Sequence, residues 1–215
     1  MPSRHPQFPS VKVFDHPLIQ HKLTRLRDRN TGSSEFRALL NEIAGLMTFE
    51  ICRELTVEPH TVETPVATAH GVRLRDKVTV VPILRAGLAM TDGILGLFPE
   101  ARVGHIGIYR DEASSQPVEY YRKLPKDVTA GPVFLVDPML ATGGSAVKAI
   151  GDLKTIGCRR IQLICLVAAP EGVRAVATAH PDAMVSVAAI DERLNEHHYI
   201  VPGLGDAGDR IFGTQ

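Results

Sequence analysis

No apolar run in this 215-residue chain approaches the roughly 20 residues needed to cross a bilayer, so no membrane-spanning helix is expected. The opening stretch "MPSRHPQFPS" lacks the apolar core of a secretory signal. Cysteine is scarce. Cys52, Cys158 and Cys165 are odd in number and lack C-x-x-C spacing, which reads as reduced, mostly buried thiols in a cytoplasmic protein. Cys158 and Cys165 fall in a helix-end turn and a strand, so neither is expected to be a nucleophile. Excess charge is also missing: Lys+Arg and Asp+Glu are both 24, which argues against a nucleic-acid surface built on bulk positive charge. A local basic cluster stays open. There is no internal repeat and no low-complexity segment.

What remains is an ordinary globular composition, 44% hydrophobic and 22% charged, suited to one domain over 1–215 with a loosely held, Pro-rich segment at 1–12. Phe36, Leu39, Leu40, Ile43, Leu46 and Met47 follow a helical period. With Ser33 or Ser34 as cap and Glu35 in the first turn, they predict an amphipathic helix over 34–55. Residues 60–74 alternate like a hairpin arm, with His70-Gly71 as the turn and Pro65 limiting it to an edge. Short apolar runs follow at 78–84, 102–109, 132–137, 160–169 and 183–191, alternating with helical patterns at 88–97, 145–156 and 171–180. That rhythm predicts an α/β fold with a central, mainly parallel sheet flanked by helices. Ligands of such sheets bind outside the carboxyl ends of the strands, at a topological switch point. The long polar connection 111–126 is a candidate lid, whose Arg122 or Lys123 either closes over an anion or forms a solvated charge cluster.

Three glycine patterns compete for a phosphate. A Walker A loop needs a lysine before its Ser or Thr, and none precedes Ser145. A dinucleotide fingerprint occurs at 203–208, but only seven residues follow it, too few for the required helix and acid. The third is "VFLVDPMLATGGSAV", an apolar strand running into Asp137 and then Thr142, Gly143, Gly144 and Ser145 at the start of a helix. Glycines let backbone amides close on a phosphate, and the helix dipole favours its charge. The carboxylate suits ribose hydroxyls, so a sugar phosphate uses both features. A plain strand-to-helix turn capped by the Asp is the alternative.

This strand–acid–glycine arrangement resembles the signature of type I phosphoribosyltransferases, which bind 5-phosphoribosyl-1-pyrophosphate (PRPP). Most of them carry two adjacent acids here, whereas Asp137-Pro138 is similar to the uracil phosphoribosyltransferase branch. The stretches "HPLIQHKLTRLRD", "VPILRAGLAM", "YRDE", "KLP", "LVAAPEG", "AHPD" and "DERLNEHHYIVPGLGDAGDRIFGT" resemble that branch in order, over roughly 15–214. The resemblance implies the type I phosphoribosyltransferase fold with a hairpin arm and a small C-terminal base-binding hood. It also implies conversion of uracil and PRPP to UMP and pyrophosphate.

By the same resemblance, Arg85, Asp137 and Asp206 are the catalytic residues. PRPP is implied to contact Arg85, Arg110, Asp206 and the run Asp137, Pro138, Met139, Leu140, Ala141, Thr142, Gly143, Gly144 and Ser145. Uracil is implied at Ile200, Gly205, Asp206 and Ala207, where glycines allow backbone groups to read the edge of the base. No protein metal cage is expected, because Mg²⁺ binds through substrate phosphates and water. The family is usually oligomeric and several members respond to GTP, so the resemblance implies a homo-oligomer and a possible GTP effector, with no nucleic acid or membrane partner. Alternatives stay beside these roles. Arg85 also reads as a surface arginine at a helix start, Arg110 as a partner of Asp111 or Glu112, and the C-terminal glycines as a loop closing a sheet edge. Adjacent His197 and His198 would point to opposite faces of a strand, which disfavours a shared metal. A PRPP-binding, pyrimidine-sensing regulator without turnover is the competing function.

Overall fold

The computed structural model describes residues 2–110 and 117–214. Two short strands, β1 (Ser3–Arg4) and β2 (Val11–Val13), precede helices α1 (Pro17–Arg27) and α2 (Ser33–Ile51). A hairpin follows, β3 (Val57–Glu63) with β4 (Thr68–Leu74), then β5 (Thr79–Leu84) and α3 (Leu88–Leu97). Next come β6 (Arg102–Val103), β7 (His105–Arg110), β8 (Pro117–Lys123), β9 (Val133–Val136) and β10 (Met139–Leu140). The remainder is α4 (Gly144–Ile156), β11 (Ile161–Ala168), α5 (Pro170–Ala179), β12 (Met184–Ile190), β13 (Arg193–Leu194), β14 (Ile200–Val201) and α6 (Ala207–Phe212).

The main sheet runs β1-β2-β12-β11-β9-β5-β7-β8 and is parallel except at its two edges, where β1 and β8 are antiparallel. Both faces are covered at its centre, which is why β5, β9, β11 and β12 are almost continuously apolar rather than alternating with polar residues. Alternation instead decides the face: Phe134 and Val136 join the core with α1, α2 and α3, while Val133 and Leu135 join the core with α4 and α5. After β5 the chain crosses to β7 on one side, then returns to place β9 on the other. The strand order therefore reverses between β5 and β9, and the crevice at their carboxyl ends is the expected ligand site.

Several elements depart from the sequence reading. The helix at 34–55 begins one residue earlier, is capped by Gly32 rather than a serine, and ends in a 3₁₀ turn at Cys52–Glu54. The 1–12 segment is tied down at its end: β2 runs parallel to β12, and Val11 is fully buried. The hairpin turns at 64–67, not at His70-Gly71. The Thr64 hydroxyl accepts the N–H groups of Val66 and Ala67, Pro65 sits at a turn corner, and Gly71 pairs with His60 within the ladder. The 102–109 run breaks at Gly104, where a Cβ would stand 2.7 Å from Leu124. Of the candidate lid, 111–116 lies outside the described residues, and 117–123 is strand β8. Its antiparallel pairing carries Arg122 and Lys123 back to Ile106 and His105, at the amino end of β7. Ile106 is itself in register with Ile83 near the carboxyl end of β5, so Arg122 stands level with the end of β9, where its side chain meets Glu119 at 3.5 Å.

Candidate active site

Asp137 continues the alternation of Val133 and Leu135, so its carboxyl leaves the end of β9 on the α4 face. Pro138 then explains itself. Having no N–H, it sits where the ladder skips, and its carbonyl accepts both the Leu166 and Val167 amides, at 3.0 and 3.1 Å. Pairing resumes as β10 beside Val167 and Ala168. The chain next turns through Gly143 at φ +84°, a left-handed position where a Cβ would also lie 3.0 Å from Ala175 and from the Gly172 carbonyl. Gly143 caps α4 without a side-chain hydrogen bond, so the first amides of the helix face the opening. The result is a cradle of about 160 Å³ lined by Asp137, by 139–146 and by Cys165. It combines orphan amides, two hydroxyls and one carboxylate.

Burial drives the electrostatics. Protein atoms packed round the Asp137 carboxyl push it up to about 7, a rise only partly offset by the Met139 amide at 3.4 Å. Beneath it, burial and then the neighbouring Asp137 push the Cys165 thiol well above its ordinary value, so Cys165 is inert as a nucleophile.

A second cleft, about 290 Å³, adjoins the cradle and shares Met139, Ala141 and Thr142 with it. All four residues expected to hold the base, Ile200, Gly205, Asp206 and Ala207, line this cleft. So do His197, His198 and Tyr199, which were not assigned to the base. The two histidines lie in a turn rather than a strand. The Asn195 side chain accepts the His197 and Tyr199 amides, and His198 takes the left-handed φ of +63°. Among the described residues no cluster of three or more His, Cys, Asp or Glu could hold a metal ion. Asp206 has a structural task as well: its side chain accepts the Asp209 amide at 2.9 Å and caps α6.

The arginines are placed differently. Gly87 is pressed onto the end of β9, where a Cβ would lie 2.3 Å from the Val136 carbonyl, so the 85–87 loop abuts the residue before Asp137. A cis peptide joins Leu84 to Arg85. The Arg85 guanidinium, however, stands 5.7 Å over the Phe212 ring and lines neither cleft. Arg110 ends β7 in register with Pro117, and its side chain lies outside the described structure, as do its suggested partners Asp111 and Glu112.

A hood of β13, β14 and α6 closes the second cleft, anchored by Ile200, Leu204, Ala207 and Ile211 in the α1–α3 core. Glu171, in the first turn of α5, accepts the Leu194 amide at 3.2 Å and ties β13 to the cradle side.

Comparison with known proteins agrees with this geometry. The sequence profile of the family described as "Uracil phosphoribosyltransferase" matches residues 13–214. A uracil phosphoribosyltransferase of Geobacillus kaustophilus is 62% identical over 206 residues, covering 95% of this chain and 99% of that protein. A solved Aquifex aeolicus structure superimposes with a TM-score of 0.89 at 34% identity, covering 95% of this chain and 99% of the other. A hypoxanthine-guanine phosphoribosyltransferase of Bacillus anthracis shares the fold alone, with a TM-score of 0.52, 11% identity, and coverage of 74% and 80% of the two chains. On this match across nearly its whole length, the chain belongs to the uracil phosphoribosyltransferase family.

Proposed function

We propose that this protein transfers the phosphoribosyl group of PRPP to uracil, giving UMP and pyrophosphate, as a single-domain cytoplasmic enzyme of pyrimidine salvage. The observation that carries the reading is the adjacency of two unlike clefts at the switch point. One suits a sugar phosphate and the other a flat base read by backbone, and they share the wall formed by Met139, Ala141 and Thr142. The close relatives named uracil phosphoribosyltransferase support the same reaction.

In this reading the 5-phosphate rests on the amides of 143–146 with the Thr142 and Ser145 hydroxyls, and Asp137 accepts the ribose hydroxyls. Uracil lies between Ile200 and Gly205-Asp206-Ala207. Its N1 forms the new bond to the anomeric carbon as the bond to pyrophosphate breaks, and the N1 proton passes to solvent. Arg85 swings from Phe212 toward the departing pyrophosphate, and Arg110 joins it from the end of β7. Mg²⁺ carried by the substrate pyrophosphate would supply charge neutralisation on the leaving group, with the carboxylate oxygens of Asp137 and Asp206 as the hard donors nearest to hold it.

A homo-oligomer is supported by the hairpin. One face of the β3–β4 ribbon carries the cross-strand pairs Val57–Leu74 and Pro59–Val72, and Val72 is 66% exposed. A lone two-stranded ribbon is marginal in water, so a second copy is the occupant proposed for that face. GTP remains a proposed effector on family grounds.

A base panel with PRPP, run with and without Mg²⁺ and GTP, tests the reading. Pyrophosphate release is expected with uracil alone and is expected to stop on chelation. Release with hypoxanthine or orotate but not uracil would overturn the substrate, and tight PRPP binding without turnover would favour a regulator.

A further inference from the structure

The glycine turn of the hood is gripped from outside the cleft by one ion pair. Arg27, the last residue of α1, meets Asp191, just beyond β12, through two parallel contacts of 2.7 Å. The same two side chains take both polar groups of Gly203: its N–H donates to Asp191 Oδ2 at 2.8 Å, and its C=O accepts from Arg27 at 2.7 Å. The Asp191 side chain is 6% exposed and that of Arg27 is 22% exposed. Gly203 has little freedom of its own. At φ +61° it folds back on Ile200, whose carbonyl would lie 2.1 Å from a Cβ. Leu204 is held next. Arg210 donates to its carbonyl at 2.9 Å and to the Asp28 carbonyl at 2.6 Å, while lying 4.4 Å over the Phe36 ring. The end of α1 is thus fastened to the two residues that lead into Gly205 and Asp206.

We propose that the Arg27–Asp191 pair is a positioning device for base recognition, which sets where the backbone of 203–206 stands and so fixes pyrimidine affinity and base choice. The inference rests on the reading of that backbone as the uracil site. Its logic is that a base read by main-chain groups cannot be tuned by exchanging the contacting side chain. Only the placement of the main chain can be tuned, and a forked, charge-assisted pair constrains placement more tightly than apolar packing does. A buried ion pair is otherwise a weak stabiliser compared with apolar residues of the same volume. Neither Arg27 nor Asp191 lines the cleft, so both act through Gly203.

Arg27→Lys keeps the charge and loses the fork, and Asp191→Asn keeps an acceptor for Gly203 and loses the charge. For both variants, the KM for uracil is expected to rise about tenfold or more, the scale of one lost charge-assisted bond, with PRPP KM within about twofold. Discrimination against cytosine should narrow in parallel. An unchanged uracil KM in a folded variant would overturn the proposal. So would a loss of kcat alone in proportion to the folded fraction, which is what a purely structural pair would give. Should Asp191→Asn not fold, Arg27→Lys decides by itself. Failure of the wild-type protein to use uracil at all would instead overturn the site assignment, and is read first.

Discussion

Asp137 carries a cost that its proposed function explains. Its ionised form is disfavoured by burial, yet ribose hydroxyls call for a carboxylate at that spot. A carboxyl whose pKa is higher folded than unfolded binds its proton more readily in the native state. Native stability is therefore fullest below the unfolded value of 3.8, declines as pH rises toward about 7, and then levels off. The penalty at alkaline pH is on the order of a few kcal/mol. Asp137→Asn is accordingly expected to melt higher than wild type at pH 8 and to flatten the pH dependence between those limits, while losing at least about a hundredfold in PRPP turnover. Melting curves across pH, beside steady-state kinetics, measure both, and a lower melting point at pH 8 would contradict the burial argument. Asp206→Asn separates charge from capping, since Asn caps a helix as well as Asp. Turnover should fall by about a hundredfold with the melting temperature moved by only about 2 °C. Unchanged turnover would leave Asp206 as the cap of α6. Asp137 and Asp206 were legible because each stands at a marked place in sequence, a strand end or a glycine cluster. Arg27 and Asp191 were not, because nothing local links residues 164 positions apart.

At the level of elements, the two loops of the crevice are fitted to one another through Gly87. Its missing side chain lets the 85–87 turn lie on the end of β9, and Gly87→Ala has to displace either the Val136 carbonyl or the turn. Overpacking of that kind costs roughly 1–3 kcal/mol. The expected result is a lowered melting temperature together with a raised KM for PRPP. A normal PRPP KM would show that the fit between the loops does not matter for binding. The strands β5, β9, β11 and β12 and the helices α3, α4 and α5 were legible within a residue or two, since both cores impose strong apolar patterns. The misreadings share a cause. The hairpin turn was assigned to a glycine when the Thr64 hydroxyl and Pro65 shape it, and β8 was read as loop because its polar residues look outward from a sheet edge. Edge strands and ribbons have no buried face to write a pattern into the sequence.

For the whole molecule, the reversal of strand order between β5 and β9 explains why segments far apart in sequence meet at one crevice. At the crevice it opens, the ends of β5 and β9 bring the 85–87 turn beside Asp137, and the hood of β13, β14 and α6 arrives from the last part of the chain. The exposed ribbon face makes a separate prediction: Val72→Asp should shift the mass found by sedimentation toward monomer while leaving the crevice intact. An unchanged mass would place any interface elsewhere. The central claim is the joining of uracil to the phosphoribosyl group held over the cradle. Phosphorus NMR of the protein with uracil, PRPP and Mg²⁺ tests it most directly. One UMP phosphate signal should grow for every pyrophosphate released, with PRPP disappearing in step. Pyrophosphate without UMP, or PRPP that persists while bound, would contradict the account.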